Sequence, residues 1–156
     1  MKIRCAFIVM AVLGMLAPRP GVAEQYSAEA GGSFYASSTP HLAGHVSLLY
    51  SLDDGKTFSF SSIEVRGPNE AQPVYLTRQG VARLVESGRW LDIYGTATGG
   101  VAASSDATSG LFTSGGLVAV KFSHSFQVLI GAQALSAPAV PGGWQPLLTV
   151  GIRLTP

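Results

Sequence analysis

The segment Leu147-Leu148-Thr149-Val150-Gly151-Ile152-Arg153-Leu154 decides the fold. Leu148, Val150, Ile152 and Leu154 fall on one parity, and Leu147, Thr149, Gly151 and Arg153 on the other. Successive side chains of a β-strand point to opposite faces, so this is a strand with a greasy side and a side of small, polar and charged groups. The same alternation recurs upstream. Phe126, Val128, Ile130, Ala132 and Ala134 oppose Gln127, Leu129, Gly131 and Gln133. Phe112, Val118 and Val120 oppose Thr113, Gly115, Leu117, Ala119 and Lys121. Leu91, Ile93, Ala97 and Val101 oppose Asp92, Tyr94, Thr96 and Thr98, and Val46, Leu48 and Tyr50 oppose His45, Ser47 and Leu49. Tyr26, Ala28, Ala30 and Phe34 against Ser27, Glu29, Gly31 and Ser33 form a weaker version. No long stretch carries apolar residues at the helical spacing with caps at its ends.

Two segments break the pattern. Phe58 and Phe60 are out of phase with Ile63 and Val65, which predicts a one-residue bulge near Ser61-Ser62. Between Val74 and Glu86, the face with Leu76, Ala82 and Leu84 also carries Arg78, while the other carries Val81 and Arg83. Together the segments predict eight strands, over 25–36, 43–52, 57–66, 74–86, 89–101, 111–122, 125–135 and 145–155. Most exceed the common strand length of about 5 to 6 residues and match the roughly 9 to 11 that a tilted strand needs to cross a bilayer.

Their connections alternate. Asp53-Asp54-Gly55-Lys56, Ser87-Gly88 and Ser123-His124 are tight turns; Ser37–Leu42, Gly67–Pro73, Ala102–Gly110 and Ser136–Trp144 are longer and rich in turn residues. Antiparallel pairing of neighbours then places every tight turn at one end of the sheet and four long loops at the other. The chain of 156 residues suits one domain. Met1–Ala23 reads as a secretory signal: Lys2 and Arg4 precede a 13-residue apolar run, Cys5–Ala17, and Gly21-Val22-Ala23 offers a small-residue cleavage site. The run is shorter than the ~20 residues of a membrane-spanning helix. Residues 24–156 then form the single mature domain.

Composition supports an envelope protein. Only 12% of residues are charged while 47% are hydrophobic, against about a quarter charged in ordinary globular domains. Removing Lys2, Arg4 and Arg19 leaves seven basic residues against nine acidic, a mature charge of −2 without any basic patch, which argues against nucleic acid as a partner. The second face of the strands is made of Ser, Thr, Gly and Gln, where a soluble sheet would show water more Lys and Glu. An all-β chain crosses a bilayer only as a closed barrel, greasy side to lipid and polar side inward.

A leader, an even set of eight alternating strands, tight turns at one end and long loops at the other resemble the small outer-membrane β-barrels of the OmpA-transmembrane and OmpX type. The resemblance is architectural and spans the mature chain. It implies an all-β, eight-stranded antiparallel up-and-down (meander) barrel in the outer membrane, with outer-membrane lipid and the outer-membrane assembly machinery as partners. The chain departs from the class at Leu154-Thr155-Pro156, where an aromatic residue usually ends the last strand.

Eight strands leave an interior just wide enough for side chains to fill, which disfavours a general diffusion pore. Charges on the inner face must pair. Glu29, Glu64 and Asp92 are expected to meet Arg66, Arg83, Lys121 and Arg153 as a structural network in the lumen; an ion path and ordinary solvated charges are the alternatives. Nothing points to catalysis or to a cofactor. His41 and His45 lack a third ligand of suitable spacing for a metal. His124 sits in a tight turn, and the His-x-Ser order of lipid A deacylases fails at Phe126. Asp53-Asp54 is a turn signal before it is an acid–base pair. Trp90, Trp144, Tyr26, Tyr50, Tyr75 and Tyr94 are candidates for interfacial belts or for core packing. The expected role is structural, or surface recognition through the long loops. The competing expectation is a periplasmic or secreted soluble β-barrel or sandwich with the greasy faces turned inward around a small apolar ligand.

Overall fold

A strand with one greasy and one polar face must pair on both edges and hide one face, and closing the sheet on itself satisfies every edge. A computed structural model describes residues 26–36, 41–53, 56–67, 73–136 and 144–155, and these form that closed sheet. The strands are β1 (Tyr26–Tyr35), β2 (His41–Ser51), β3 (Thr57–Arg66), β4 (Val74–Ser87), β5 (Leu91–Ala103), β6 (Thr108–Lys121), β7 (Phe126–Ser136) and β8 (Gln145–Leu154). Each pairs antiparallel with the next, and β8 closes on β1 through registers such as Glu29 with Arg153. The leader expected over residues 1–23 lies outside the described residues.

Register fixes the shape. A row perpendicular to the strands runs from Tyr26 to Tyr50, Ser59, Val81, Ala97, Ser114, Ala134 and Pro146. Pro146 accepts the backbone N–H of Ala36, so the row returns to β1 ten residues above its start. A ten-residue stagger over eight strands, with a rise of about 3.3 Å and a spacing of about 4.8 Å, sets a tilt of about 41° and a climb along the barrel axis of about 2.5 Å per residue.

The greasy stripes face outward. Leu148, Val150, Ile152 and Leu154 are 51, 58, 42 and 51% exposed, while Gln145, Leu147, Thr149 and Arg153 between them are buried. The soluble alternative required the reverse orientation. Inside, two apolar layers pack across the barrel. Tyr35, Ala43, Leu76, Leu111, Leu135 and Leu147 form the upper one, toward the long-loop end, and by register lie within about 4 Å of one height. Ala82, Tyr94, Leu117, Ala119 and Leu129, joined by Phe58, Phe60 and Leu84, form the lower one.

Two expectations are corrected. β3 pairs with β2 without a slip, so there is no bulge at Ser61-Ser62; Phe58 and Phe60 turn inward because the lower layer takes their rings. The register shift lies in β4, between Leu84 and Glu86. The connection expected over Ala102–Gly110 is a turn of four residues, Ser104–Ala107, in which Ser104 N–H donates to the Ala107 carbonyl at 2.8 Å. Small residues around it carry no strong alternation, yet Ala103 and Thr108 still pair and lengthen both strands.

Turn chemistry holds the lower end. Asp53 accepts at Oδ1 from the Thr57 backbone N–H and at Oδ2 from its hydroxyl (2.9 Å), an Asx arrangement that closes the β2–β3 hairpin. Glycine is required where strands cross closely. A Cβ on Gly115 would strike the Ala132 carbonyl oxygen and the Gln133 Cα of β7.

Candidate functional site

Two features set this barrel's chemistry: a charged layer inside and an apolar belt outside. The interior charges gather around Glu64, which is fully buried on β3. It accepts from the Tyr35 hydroxyl, from the Arg78 guanidinium and, at 3.3 Å, from the Ser33 hydroxyl. Ser33 Oγ is also 3.3 Å from His45 Nδ1. His45 Nε2 lies 3.5 Å from Glu29 Oε1, and an Arg153 guanidinium nitrogen lies 3.5 Å from Glu29 Oε2. The chain Arg78–Glu64–Ser33–His45–Glu29–Arg153 thus links β4, β3, β1, β2 and β8, across the seam where the barrel closes. Arg153 is also packed between rings, 5.4 Å from the Phe58 centroid and 5.3 Å from that of Tyr94.

A separate pair sits at the tight-turn end. Lys121 Nζ is 2.8 Å from Asp92 Oδ1, which also accepts from the Ser87 hydroxyl at 2.7 Å. Arg66 lies over the Tyr35 ring, 5.3 Å from its centroid. Of the seven residues expected in the lumen, the structure places Glu29, Glu64, Arg66, Asp92, Lys121 and Arg153 on the inner face. Arg83 is the correction. It pairs in register with Thr57 and Gly95 on the outer face and is exposed. The parity of β4 puts Arg78 inside in its stead, opposite a carboxylate that needs it. Sequence reasoning missed Arg78, His45 and Tyr35 as partners. Nothing within β4 signalled Arg78, because the face it shares with Leu76 and Ala82 is the one that alternation alone would turn to lipid.

Between the apolar layers lies a cavity of about 40 Å³, bordered by Arg78, Arg153, Ser62, Thr96 and Gln133 among others. That volume accommodates about three waters. Arg78 Nε, Arg153 Nε, Ser62 Oγ, Thr96 Oγ1 and Gln133 Oε1 have no protein hydrogen-bond partner, the polar surroundings that a buried water needs. Among the described residues no group of three or more His, Cys, Asp or Glu side chains could hold a metal ion. His124 lies exposed in the turn between β6 and β7.

The outer surface is a belt. Tyr26, Tyr50 and Phe126 mark its lower edge; the Tyr26 and Tyr50 rings are 5.1 Å apart, and Trp90 and Phe122 project just below. Phe34, Tyr75 and Phe112 mark the upper edge, with Trp144 above. From register, the two edges are about 20 to 25 Å apart, close to the ~25 Å apolar band of transmembrane barrels. Tyr94, one of the six aromatics considered for the belt, is instead buried in the lower interior layer. The chain has the fold of a small transmembrane β-barrel.

Solved structures agree with that. Neisserial surface protein A matches with a TM-score of 0.63 at 14% identity, covering 83% of this chain and 95% of that one. The N-terminal β-barrel domain of Pseudomonas aeruginosa OprF matches with 0.61 at 18%, covering 84% and 98%. Ail, the attachment invasion locus protein of Yersinia pestis, matches with 0.51 at 12%, covering 84% and 99%. No protein-family model matches the chain, and no curated protein matches it in sequence.

Proposed function

We propose that the protein is a non-enzymatic outer-membrane barrel whose lumen is filled and whose role is structural or recognition at the cell surface. Residues 1–23 would direct export, and the outer-membrane assembly machinery would insert the mature chain among outer-membrane lipids. The observation that carries this reading is the aromatic-edged apolar belt around a polar interior. In water, that belt would be a large exposed hydrophobic surface with no compensating partner; in a bilayer it is solvated by acyl chains. The two apolar layers support a lumen without an ionic path, since an ion passing either one would lose its hydration against side chains that cannot replace it.

Recognition would fall to the connections 36–40, 67–73 and 137–144. Two of the similar structures are named as a surface protein and an attachment locus protein. Ail has been crystallised with the heparin analogue sucrose octasulfate. The three connections here contain no Lys or Arg, so a sulfated polyanion is a poor match and a neutral or apolar surface is the better one. The test combines fractionation, gel mobility and planar-bilayer recording. The protein should fractionate with outer membranes, migrate faster unheated than boiled, and give no stepwise conductance. Recovery in the aqueous fraction would refute the membrane assignment, and steady single-channel steps would refute the filled lumen.

A further inference from the structure

The belt is not uniform. On β7, β8, β1 and β2 its central positions are Ile130, Val150, Ala30 and Val46, all apolar. On β4 the central position is Gln79, exposed on the outer face between Ser61 of β3 and Gly99 of β5. Register puts Gln79 about 14 Å above Tyr26, within about 3 Å of the middle of the belt. Its carboxamide has no partner among the described residues, and hydrocarbon offers none. Beside it the wall is low. Gly95, Ala97 and Gly99 on β5, with Ser114 on β6, leave grooves on the outer face, one running under Val81 and Arg83 and one beside Gln79 and Ser61.

We propose that this β3–β6 face is a membrane-embedded interface with a second copy of the same chain. Copies inserted in one orientation can only be related by an axis along the membrane normal, so each residue meets residues at its own depth. A carboxamide both donates and accepts, and Gln79 therefore pairs with its own image. Lower on the same strand, Arg83 and Glu86 both face outward, are exposed and have no ion-pair partner among the described residues. They lie about 5 Å apart in height. The strand tilt carries both to the same side of an axis through Gln79, so the carboxamide and not these charges makes the contact across it. The glycines and alanine of β5 allow the ridge of β4 from the second copy to approach closely, as small residues do between membrane helices. An acyl chain could fill the grooves but could not satisfy the amide. This inference rests on the outer face lying in lipid.

The test is cysteine cross-linking in a Cys5→Ser background, with the full chain refolded into phosphatidylcholine vesicles. Gln79→Cys should oxidise to a covalent dimer at least about tenfold more efficiently than Val150→Cys on the opposite wall. The unsubstituted chain in mild detergent should sediment as a dimer, and Gln79→Leu should weaken that association on the order of tenfold. Equal cross-linking at the two positions, a monomer mass for the unsubstituted chain at every concentration, or a cross-linked product of any other mass would overturn the proposal. Each sample is first run unheated. Loss of the fast-migrating folded band in the unsubstituted chain would fault the barrel assignment instead, and a substituted chain that fails to fold leaves the sedimentation result to decide.

Discussion

Replacing Arg78 with leucine removes the guanidinium that Glu64 depends on. Glu64 is 0% exposed and Arg78 6%, so water cannot take over the vacated contact. Breaking a buried ion pair by removing one partner costs about 3–5 kcal/mol, because the remaining charge is left uncompensated. Tyr35 and Ser33 still donate to Glu64 in the variant. Each such bond to a charge is worth roughly 1.5–3 kcal/mol, and both already exist in the parent, so they limit the loss without cancelling it. The expected destabilisation is about 3 kcal/mol. Substituting Glu64→Leu together with Arg78→Leu replaces the pair by apolar side chains next to Leu76 and the upper layer. That double variant should recover most of the loss, leaving about 1 kcal/mol for the unpaired Tyr35 hydroxyl. The measurement is reversible urea unfolding in vesicles, followed by tryptophan fluorescence and by the unheated gel band. A double-mutant cycle should give a coupling of about 2 kcal/mol or more between the two sites. Additive effects, or a loss below about 1 kcal/mol in the single variant, would refute the pairing as a structural element.

Two further outcomes test the outer geometry and the wall. Val150→Arg, near the centre of the belt, should cost about 2–4 kcal/mol, whereas Leu42→Arg at the upper edge should cost about 0–1 kcal/mol; equal effects in the same urea assay would contradict the depth assignments. Gly115→Val should abolish the fast-migrating folded band, because its side chain would run into the β7 backbone at Ala132 and Gln133; a normal folded band would show that β6 and β7 can separate there.

The number of strands, their order and the outward turn of the greasy stripes were all legible, because period-2 alternation needs only a side chain's own parity. β8 is the limiting case, alternating without exception from Gln145 to Leu154. What escaped was decided by neighbours. Phe58 and Phe60 are apolar on the polar parity, and only the lower layer, assembled from β3 to β7, explains why they belong inside. Arg78 and Arg83 are indistinguishable within β4. The choice between them comes from Glu64, whose height and inner position are set by another strand. The seam contacts, from His45 to Glu29 to Arg153, span 124 residues of sequence between Glu29 and Arg153 and become neighbours only when the barrel closes.

That dependence gives the interior charges a use beyond stability. β3 and β4 are the strands whose outer faces are least apolar, carrying Ser59, Ser61, Thr77, Gln79 and Arg83. Hydrophobic contrast alone specifies their orientation weakly, and a slip of one residue exchanges the two faces of a strand. In β3 such a slip would send Glu64 into hydrocarbon and strip Arg78, Tyr35 and Ser33 of their acceptor. In β4 it would send Arg78 outward and bring Gln79 and Arg83 into an interior with no carboxylate placed for them. Both errors leave buried charges unpaired, at several kcal/mol each. The Glu64–Arg78 pair therefore penalises the wrong register in the two strands where the greasy stripe discriminates least, and the chain through His45 and Glu29 to Arg153 extends that constraint to the strands that close the barrel.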